Sequence, residues 1–262
     1  MNLSDRMKAY EQAARVTFPR RMPLIIRVDG KAFSKYTSRL PGKPFDRNFI
    51  SVMESVAIAL CTEIQGAQLA YVQSDEVSVL VHGYKKFETS PWYNNQLQKI
   101  VSVSAAIASA TFTANSWRMF HDNSDPANFY GPSTDDIEPA YFDSRAFVLP
   151  DAEVCNYFVN RQQDAVRNST QMLARSIFSH SECHQKNVPT LRIMCHDAGK
   201  PWEDLTPTIR KGRCVKRFID RERSCWKVDT DIPMFNENRA YVEDLLALEL
   251  ESTVTVSSVV DS

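Results

Sequence analysis

Between residues 23 and 150 the chain alternates two rhythms of apolar positions. Pro23 opens a nearly unbroken apolar run, Leu24-Ile25-Ile26-Arg27-Val28, which reads as a strand buried on both faces. Residues 30–45 are rich in Gly, Ser, Thr and Pro and read as a loop. After Asp46, a candidate N-cap, Phe49, Val52, Met53, Val56, Leu60 and Ile64 recur at three- and four-residue steps. That is the stripe of an amphipathic helix, and Gly66 is placed to end it. Residues 68–73 and 77–82 read as two strands around a Ser74-Asp75-Glu76 corner, a hairpin. Leu97, Ile100, Val101, Ser104, Ala108 and Phe112 mark a second helix, whose Ala and Ser content allows close packing. Residues 142–149 read as a fourth strand, ended by Pro150.

The order strand, helix, strand, strand, helix, strand predicts an α+β fold of the ferredoxin-like βαββαβ kind. Its sheet is antiparallel with helices on one face, the layout of polymerase palms and of many RNA-binding modules. A short amphipathic helix is expected before it, around Met7–Ala14. Residues 1–150 are therefore read as a palm-like domain and 151–262 as a helical and mixed extension packed on it. Within the extension, 151–180 is expected as a long helix, with Val154, Phe158, Val166, Met172, Leu173 and Ile177 near one face. Short mixed elements follow, broken by Pro189, Pro201 and Pro207. The tail from Glu251 alternates Ser and Val and reads as frayed or a loose strand.

Composition narrows the picture further. The 262 residues suit one large domain, or a domain with a substantial second lobe. A hydrophobic share of 43%, a charged share of 24% and a net charge of −1 are those of an ordinary globular protein. Six cysteines without a CxxC pair, and a polar first segment without an apolar core, lead us to expect reduced thiols, a cytoplasmic location and no secretory leader. No apolar run approaches the roughly 18 residues of a membrane span, so no membrane partner is expected. Seven glycines, with no Walker or GxGxxG pattern, exclude a Gly-rich phosphate loop.

The candidate chemistry lies in two acidic runs, Ile26-Arg27-Val28-Asp29-Gly30 and Gln73-Ser74-Asp75-Glu76. Alone, each has a plain explanation, because Asp-Gly is a common turn and acids suit hairpin corners. In a βαββαβ sheet, however, the end of the first strand lies beside the hairpin joining the second and third. Asp29 and Asp75 would then meet at one sheet edge, as a site for two Mg²⁺ ions requires. Gly30 would let the main chain approach an ion and a triphosphate. Lys31 and Lys43, solvated in most loops, would there face phosphate charge. His180, Cys183, His184, Cys195 and His196 have ligand types suited to zinc, but their spacing fits no standard zinc motif. The basic cluster Arg210, Lys211, Arg213, Lys216 and Arg217, with Arg161, Arg167 and Asn168 on the third helix, is either a solvated face or an RNA-phosphate strip.

Seven segments resemble the tRNA(His) guanylyltransferase family, in order and with compatible spacing from about residue 5 to 220. They are residues 5–11 (Asp-Arg-Met-Lys-x-Tyr-Glu), residues 26–33 (Ile-Arg-Val-Asp-Gly-Lys-Ala-Phe), Lys43-Pro44-Phe45-Asp46, residues 71–78 (Tyr-Val-Gln-Ser-Asp-Glu-Val-Ser), Phe142-Asp143-Ser144-Arg145, residues 161–168 and Arg210-Lys211-Gly212. The resemblance implies a polymerase-like palm that adds nucleotides to a tRNA 5′ end in the 3′-to-5′ direction. ATP first activates a 5′-monophosphate, and the 3′-hydroxyl of GTP then attacks it. It further implies that Asp29, Asp75 and the Gly30 carbonyl bind two Mg²⁺ ions. Asp29, Gly30, Lys31, Ala32, Phe33 and Ser34, with Ser74 and Asp75, would line the triphosphate site, and Lys43 and Glu76 would support catalysis. Arg161, Arg167, Asn168, Lys211 and Arg213 are the expected tRNA contacts, and a homotetramer is the implied assembly. Eukaryotic members carry His-x-Asn-Asn-Leu-Tyr-Asn where this chain has Val166 to Met172. The resemblance is therefore to the bacterial and phage branch, which repairs truncated tRNA 5′ ends with templated nucleotides. Two other classes share the layout: a nucleotidyl cyclase with a palm fold, and a non-catalytic RNA-binding module, which would need aromatics on the sheet face where the strands offer only Tyr71.

Overall fold

A computed structural model describes residues 1–38, 40, 42–82, 89–121, 139–220 and 223–246. The strands are β1 (Leu24–Gly30), β2 (Ala67–Gln73), β3 (Glu76–Val81), β4 (Phe142–Val148), β5 (Arg213–Asp220) and β6 (Arg223–Asp229). The main helices are α1 (Leu3–Ala13), α2 (Phe33–Thr37), α3 (Arg47–Glu63), α4 (Leu97–His121) and α5 (Asp151–Ile177). They are followed by α6 (His180–Cys183), α7 (Val188–Asp197), α8 (Pro207–Lys211) and α9 (Ala240–Glu243). The six strands form one sheet in the order β4-β1-β3-β2-β5-β6, and every pairing is antiparallel.

The expected βαββαβ core is present, with most element ends displaced by a few residues. Three features depart from the sequence reading. The loop after β1 contains α2, whose buried Phe33 gathers Tyr36, Phe49, Phe112 and Phe142 at ring-centroid distances of 4.9–6.1 Å. The basic stretch after residue 210 folds into the β5–β6 hairpin, which extends the sheet beyond β2. By length and composition, α4 between 97 and 117 is apolar enough to cross a membrane, although Gln98, Lys99 and Ser102 interrupt any pure apolar run. Here α4 packs on α3 and β4. The tail from Glu251 lies outside the described residues.

Both faces of the sheet are covered, which is why β1 reads as a continuous apolar run. Leu24, Ile26 and Val28 join Val52, Val56, Leu60, Ile100 and Phe112 in a core beneath α3 and α4. Ile25, Leu69, Tyr71 and Leu80 join Val154 and Phe158 of α5 in a second core on the opposite face. Local signals set the helix boundaries. The Asp46 carboxylate caps α3 by accepting from Phe49 N–H (2.9 Å), and it also accepts from Gly42 N–H (3.0 Å). Ser104 and Ser109 of α4 reach β4 directly, as Ser104 Oγ to Ser144 Oγ (2.7 Å) and Phe142 N–H to Ser109 Oγ (3.1 Å). All six cysteines are free thiols.

At the join of α8 and β5, Gly212 has φ +77°, and a Cβ there would fall 2.5 Å from the Tyr71 hydroxyl. That hydroxyl donates to the Lys211 carbonyl (2.9 Å), so the buried tyrosine cannot simply turn away. Gly212→Ala is expected to destabilise the protein by about 1–3 kcal/mol through left-handed strain and the displaced ring. Urea denaturation checks this, and an unchanged midpoint would refute it.

Candidate active site

The polar end of the sheet follows from strand alternation. Side chains of β1 alternate faces, so Arg27 and Asp29 share the α5 side with Ile25. On β3 the same side runs Leu80, Ser78, Glu76, and on β2 it runs Leu69, Tyr71, Gln73. The α5-facing layer is thus apolar at one end and polar at the other. Pairing of β1 with β3 places Asp29 opposite Glu76, and Gly30 N–H donates to the Asp75 carbonyl (3.1 Å). Asp75 occupies the corner beside Ser74, which adopts φ +47°. A Cβ on Gly30 would lie 2.4 Å from the Phe33 ring, so only glycine lets α2 close against the end of β1.

The electrostatics are those of crowded negative charge. Burial, reinforced by Asp29, pushes the Asp75 carboxyl up to about 6, while hydrogen bonds from its own backbone and Ser74 partly offset this. Burial and the neighbouring Asp143 raise Asp29, against Arg27, Arg145 and Arg161, which lower it. Sequence pattern alone gives Asp143 and Arg145 no role, although both lie in the Phe142–Arg145 segment that carries part of the family resemblance. The β1–β4 register pairs Asp29 with Asp143 and Arg27 with Arg145. Like charges directly opposite one another destabilise a sheet, and here the ion pair of Arg145 with Asp143 (3.6 Å) offsets part of that cost.

Beside the acids a cavity of about 320 Å³ opens between α2, the start of α3 and the corner after β2 on one side and α5 and α8 on the other. Of the residues singled out from the sequence, Phe33, Ser34, Lys43, Ser74, Asp75 and Asn168 line it, and so do Asp46, Phe49, Gln73 and Met172. Asp29, Gly30, Lys31 and Ala32 flank it on the β1 end instead. Lys31 N–H is anchored on the Tyr141 carbonyl (2.8 Å), and Ala32 has φ +57°. Glu76 is held by Arg161 (3.2 Å), and one of its carboxylate oxygens, Oε1, is buried without a hydrogen-bond partner.

The expected RNA contacts divide. Asn168 faces the cavity, its Nδ2 3.5 Å from Gln73 Oε1. Arg161 is committed to Glu76 and to Asp164 (2.5 Å), and Arg167 pairs with the same Asp164. Arg213 is buried at 3% exposure, bound to Glu54 (2.6 Å) and to the Ile50 carbonyl (2.9 Å). Arg213 therefore locks β5 to α3 and forms cavity wall, which does not expose it as a phosphate strip. The Lys211 carbonyl serves Tyr71. Among the described residues, no three His, Cys, Asp or Glu side chains gather to hold a metal, at residues 180–196 or at the acids.

The family model for tRNAHis guanylyltransferase (Thg1) matches residues 4–150. The chain belongs to the tRNA(His) guanylyltransferase family. Members of this family are nucleotidyltransferases. Solved structures of a bacterial tRNA(His) guanylyltransferase-like protein in complex with ATP and in complex with GTP are similar over 94% of this chain. They are 38% and 37% identical, cover 100% and 99% of those chains, and have TM-scores of 0.83 and 0.76. The tRNA(His) guanylyltransferase 1 of Arabidopsis thaliana is 28% identical over 211 residues, covering 76% of this chain and 34% of that protein. The chain thus spans about a third of the length of this relative.

The raised Asp75 carboxyl carries a stability cost with a definite sign. Its folded value near 6 exceeds the usual 3.8, so the fold disfavours the ionised form. The cost, about 3 kcal/mol for a shift of this size, is present above pH 6 and fades as pH falls toward 4. Asp75→Asn is therefore expected to raise stability at pH 7.5 in cation-free buffer by about 1–3 kcal/mol, with the gain shrinking toward pH 4. Denaturant titrations at the two pH values measure it, and a less stable variant at pH 7.5 contradicts the electrostatic account.

Proposed function

We propose that this protein is a Mg²⁺-dependent nucleotidyltransferase that activates a tRNA 5′ end with ATP and adds GTP, or templated nucleotides, to it in the 3′-to-5′ direction. The observation that carries the reading is the meeting of Asp29 and Asp75 at the mouth of a nucleotide-sized cavity. The complexes of the bacterial relative with ATP and GTP support the same cavity as a nucleoside triphosphate site.

The donor set fits a hard divalent cation. It offers the carboxylates of Asp29 and Asp75 and the half-buried end of β1 at Gly30, beside the unpartnered oxygen of Glu76. Two carboxylates and one main-chain carbonyl suit Mg²⁺, which keeps several waters and takes substrate phosphates. Asp29, Asp75 and the Gly30 carbonyl would hold it. When bound, it would supply charge neutralisation at the transferring phosphate and lower the pKa of the attacking hydroxyl.

This chain's own residues do the placing. Ser34, Lys43 and Ser74 would bind the triphosphate, with Lys43 neutralising phosphate charge. Phe33, Phe49 and Met172 form apolar wall that excludes water from the nucleotide. Arg161 holds Glu76 by an ion pair and so fixes the floor below the acids. The Arg27–Arg145 rung, two residues from Asp29, is placed to meet the anionic 5′ end of the RNA. Transfer of a phosphoryl-type group needs in-line placement and charge compensation more than a reactive side chain.

A non-catalytic RNA-binding module fits less well. Its stacking surface would have to be an open sheet face, yet both faces are covered here and Tyr71 is fully buried. The homotetramer implied by the family resemblance, and the cytoplasmic location expected from the six cysteines and the polar first segment, are part of the same proposal.

The test is an extension assay with Mg²⁺, ATP and each NTP, on full-length tRNA(His) and on 5′-truncated tRNAs. Wild-type protein is expected to lengthen the 5′ end, and Asp29→Ala or Asp75→Ala to lose at least about 10³-fold in rate. Extension at normal rate by either variant removes the acids from the mechanism, and release of a cyclic nucleotide without RNA would identify a cyclase instead.

A further inference from the structure

The stretch from His180 to Lys186 takes no part in the site described above, yet it encloses a polar cavity of about 150 Å³ against the second half of α5. Gln171 and Arg175 of α5 form one wall, and His180, His184, Gln185 and Lys186 form the other. The two imidazoles stack, with centroids 5.8 Å apart and planes at 29°. The lining carries two fixed positive charges, two histidines and two amides, and no carboxylate. The acid on the same turn, Glu182, is engaged elsewhere. It accepts from the Ser179 N–H (2.8 Å) and hydroxyl (2.6 Å) in a capping box, although Lys186 is near enough to favour its charge.

We propose that this cavity holds a backbone phosphate of the RNA substrate, away from the reacting 5′ end. Converging donors with no acceptor carboxylate match a group that is all acceptor, and the guanidinium fork suits phosphate oxygens. A metal cation is disfavoured there by Arg175 and Lys186.

The position along α5 selects RNA over a free nucleotide. Arg175 lies fourteen residues beyond Arg161, which touches Glu76 at the active site, on one unbroken helix. That is about 21 Å and nearly four turns, so both arginines project from almost the same side. An RNA whose 5′ end lies at the acids presents further phosphates at that reach. A mononucleotide bound at the acids does not. The inference rests on the RNA substrate proposed above.

The experiment measures tRNA affinity of the full chain as a function of salt, with GTP affinity measured in parallel. The variants are Arg175→Glu with Lys186→Glu, and the milder Arg175→Gln with Lys186→Gln. Both pairs are expected to weaken tRNA binding, the reversal pair by about tenfold or more, and to reduce the salt slope by about 1. GTP affinity stays unchanged, which also shows that the fold is intact. Unchanged tRNA affinity and slope in both pairs overturns the proposal. Inorganic phosphate is titrated as a second arm. If the variants lose phosphate or GTP binding and keep tRNA affinity, the cavity serves a free anion and the proposal fails. A wild-type protein that binds no tRNA refutes the RNA substrate itself, which is a different failure.

Discussion

Gly30 donates its N–H to the carbonyl of Asp75, and that bond ties the end of β1 to the corner between β2 and β3. Asp29 and Asp75 are brought close by it, in a place dry enough that burial is the largest influence on both. Two carboxylates so placed resist ionisation, and at Asp29 the guanidinium groups of Arg27, Arg145 and Arg161 offset only part of that. The β4 side repeats the conflict with an Asp–Asp rung and an Arg–Arg rung. Charge of both signs thus stands on adjacent rungs at this end of the sheet, partly compensated within the fold by the Arg145–Asp143 pair.

The sheet can carry this conflict because its two faces are unequal. Under α3 and α4 the apolar layer runs through Val28, Val77 and Val72 to the strand ends. Under α5 it stops at Ile25, Tyr71 and Leu80, and the next positions inward to the site are Arg27, Gln73, Ser78 and Glu76. The complete face supplies the stability, since burial of this kind is worth roughly 25 cal/mol per Å² of apolar surface. The interrupted face supplies the chemistry. Arg161 joins the two roles, reaching from α5 to Glu76 so that the polar end is closed without being filled.

This division explains what could be read from the sequence. Periodicity found β1, α3, β2 and β3 because each buries a full apolar stripe, and the hairpin corner found Asp75 because strands 68–73 and 77–82 are short. Adjacency of Asp29 and Asp75 followed from topology alone. The β5–β6 hairpin was missed because Arg210, Lys211, Arg213, Lys216 and Arg217 break any apolar alternation. Burial of Arg213 depends on Glu54, 159 positions earlier in the chain, and no local pattern announces such a partner. The Asp29–Asp143 rung was missed for a similar reason. It depends on the exact register of β4 against β1, which residues 142–149 alone do not state.

Helix α5 then emerges as the element that relates the palm to everything after it. One half carries Val154 and Phe158 into the core beneath the sheet, and the middle carries Arg161, Asn168 and Ser169 to the acids and the cavity. The far half carries Leu173 and Ala174 into a small separate core with Leu191, Cys195 and Trp202. Trp202 is fixed there by its Nε1–H on Ser169 Oγ (3.0 Å) and by the Arg192 guanidinium stacked 3.5 Å over its ring. Phe45, from the palm loop that also holds Lys43, packs against that same core. The cavity therefore lies between two cores that share one rigid helix, so its width is set by how Phe45 and Met172 pack across it. A substitution in the small core, far from either carboxylate, would reach the cavity through α5, because close packing transmits strain.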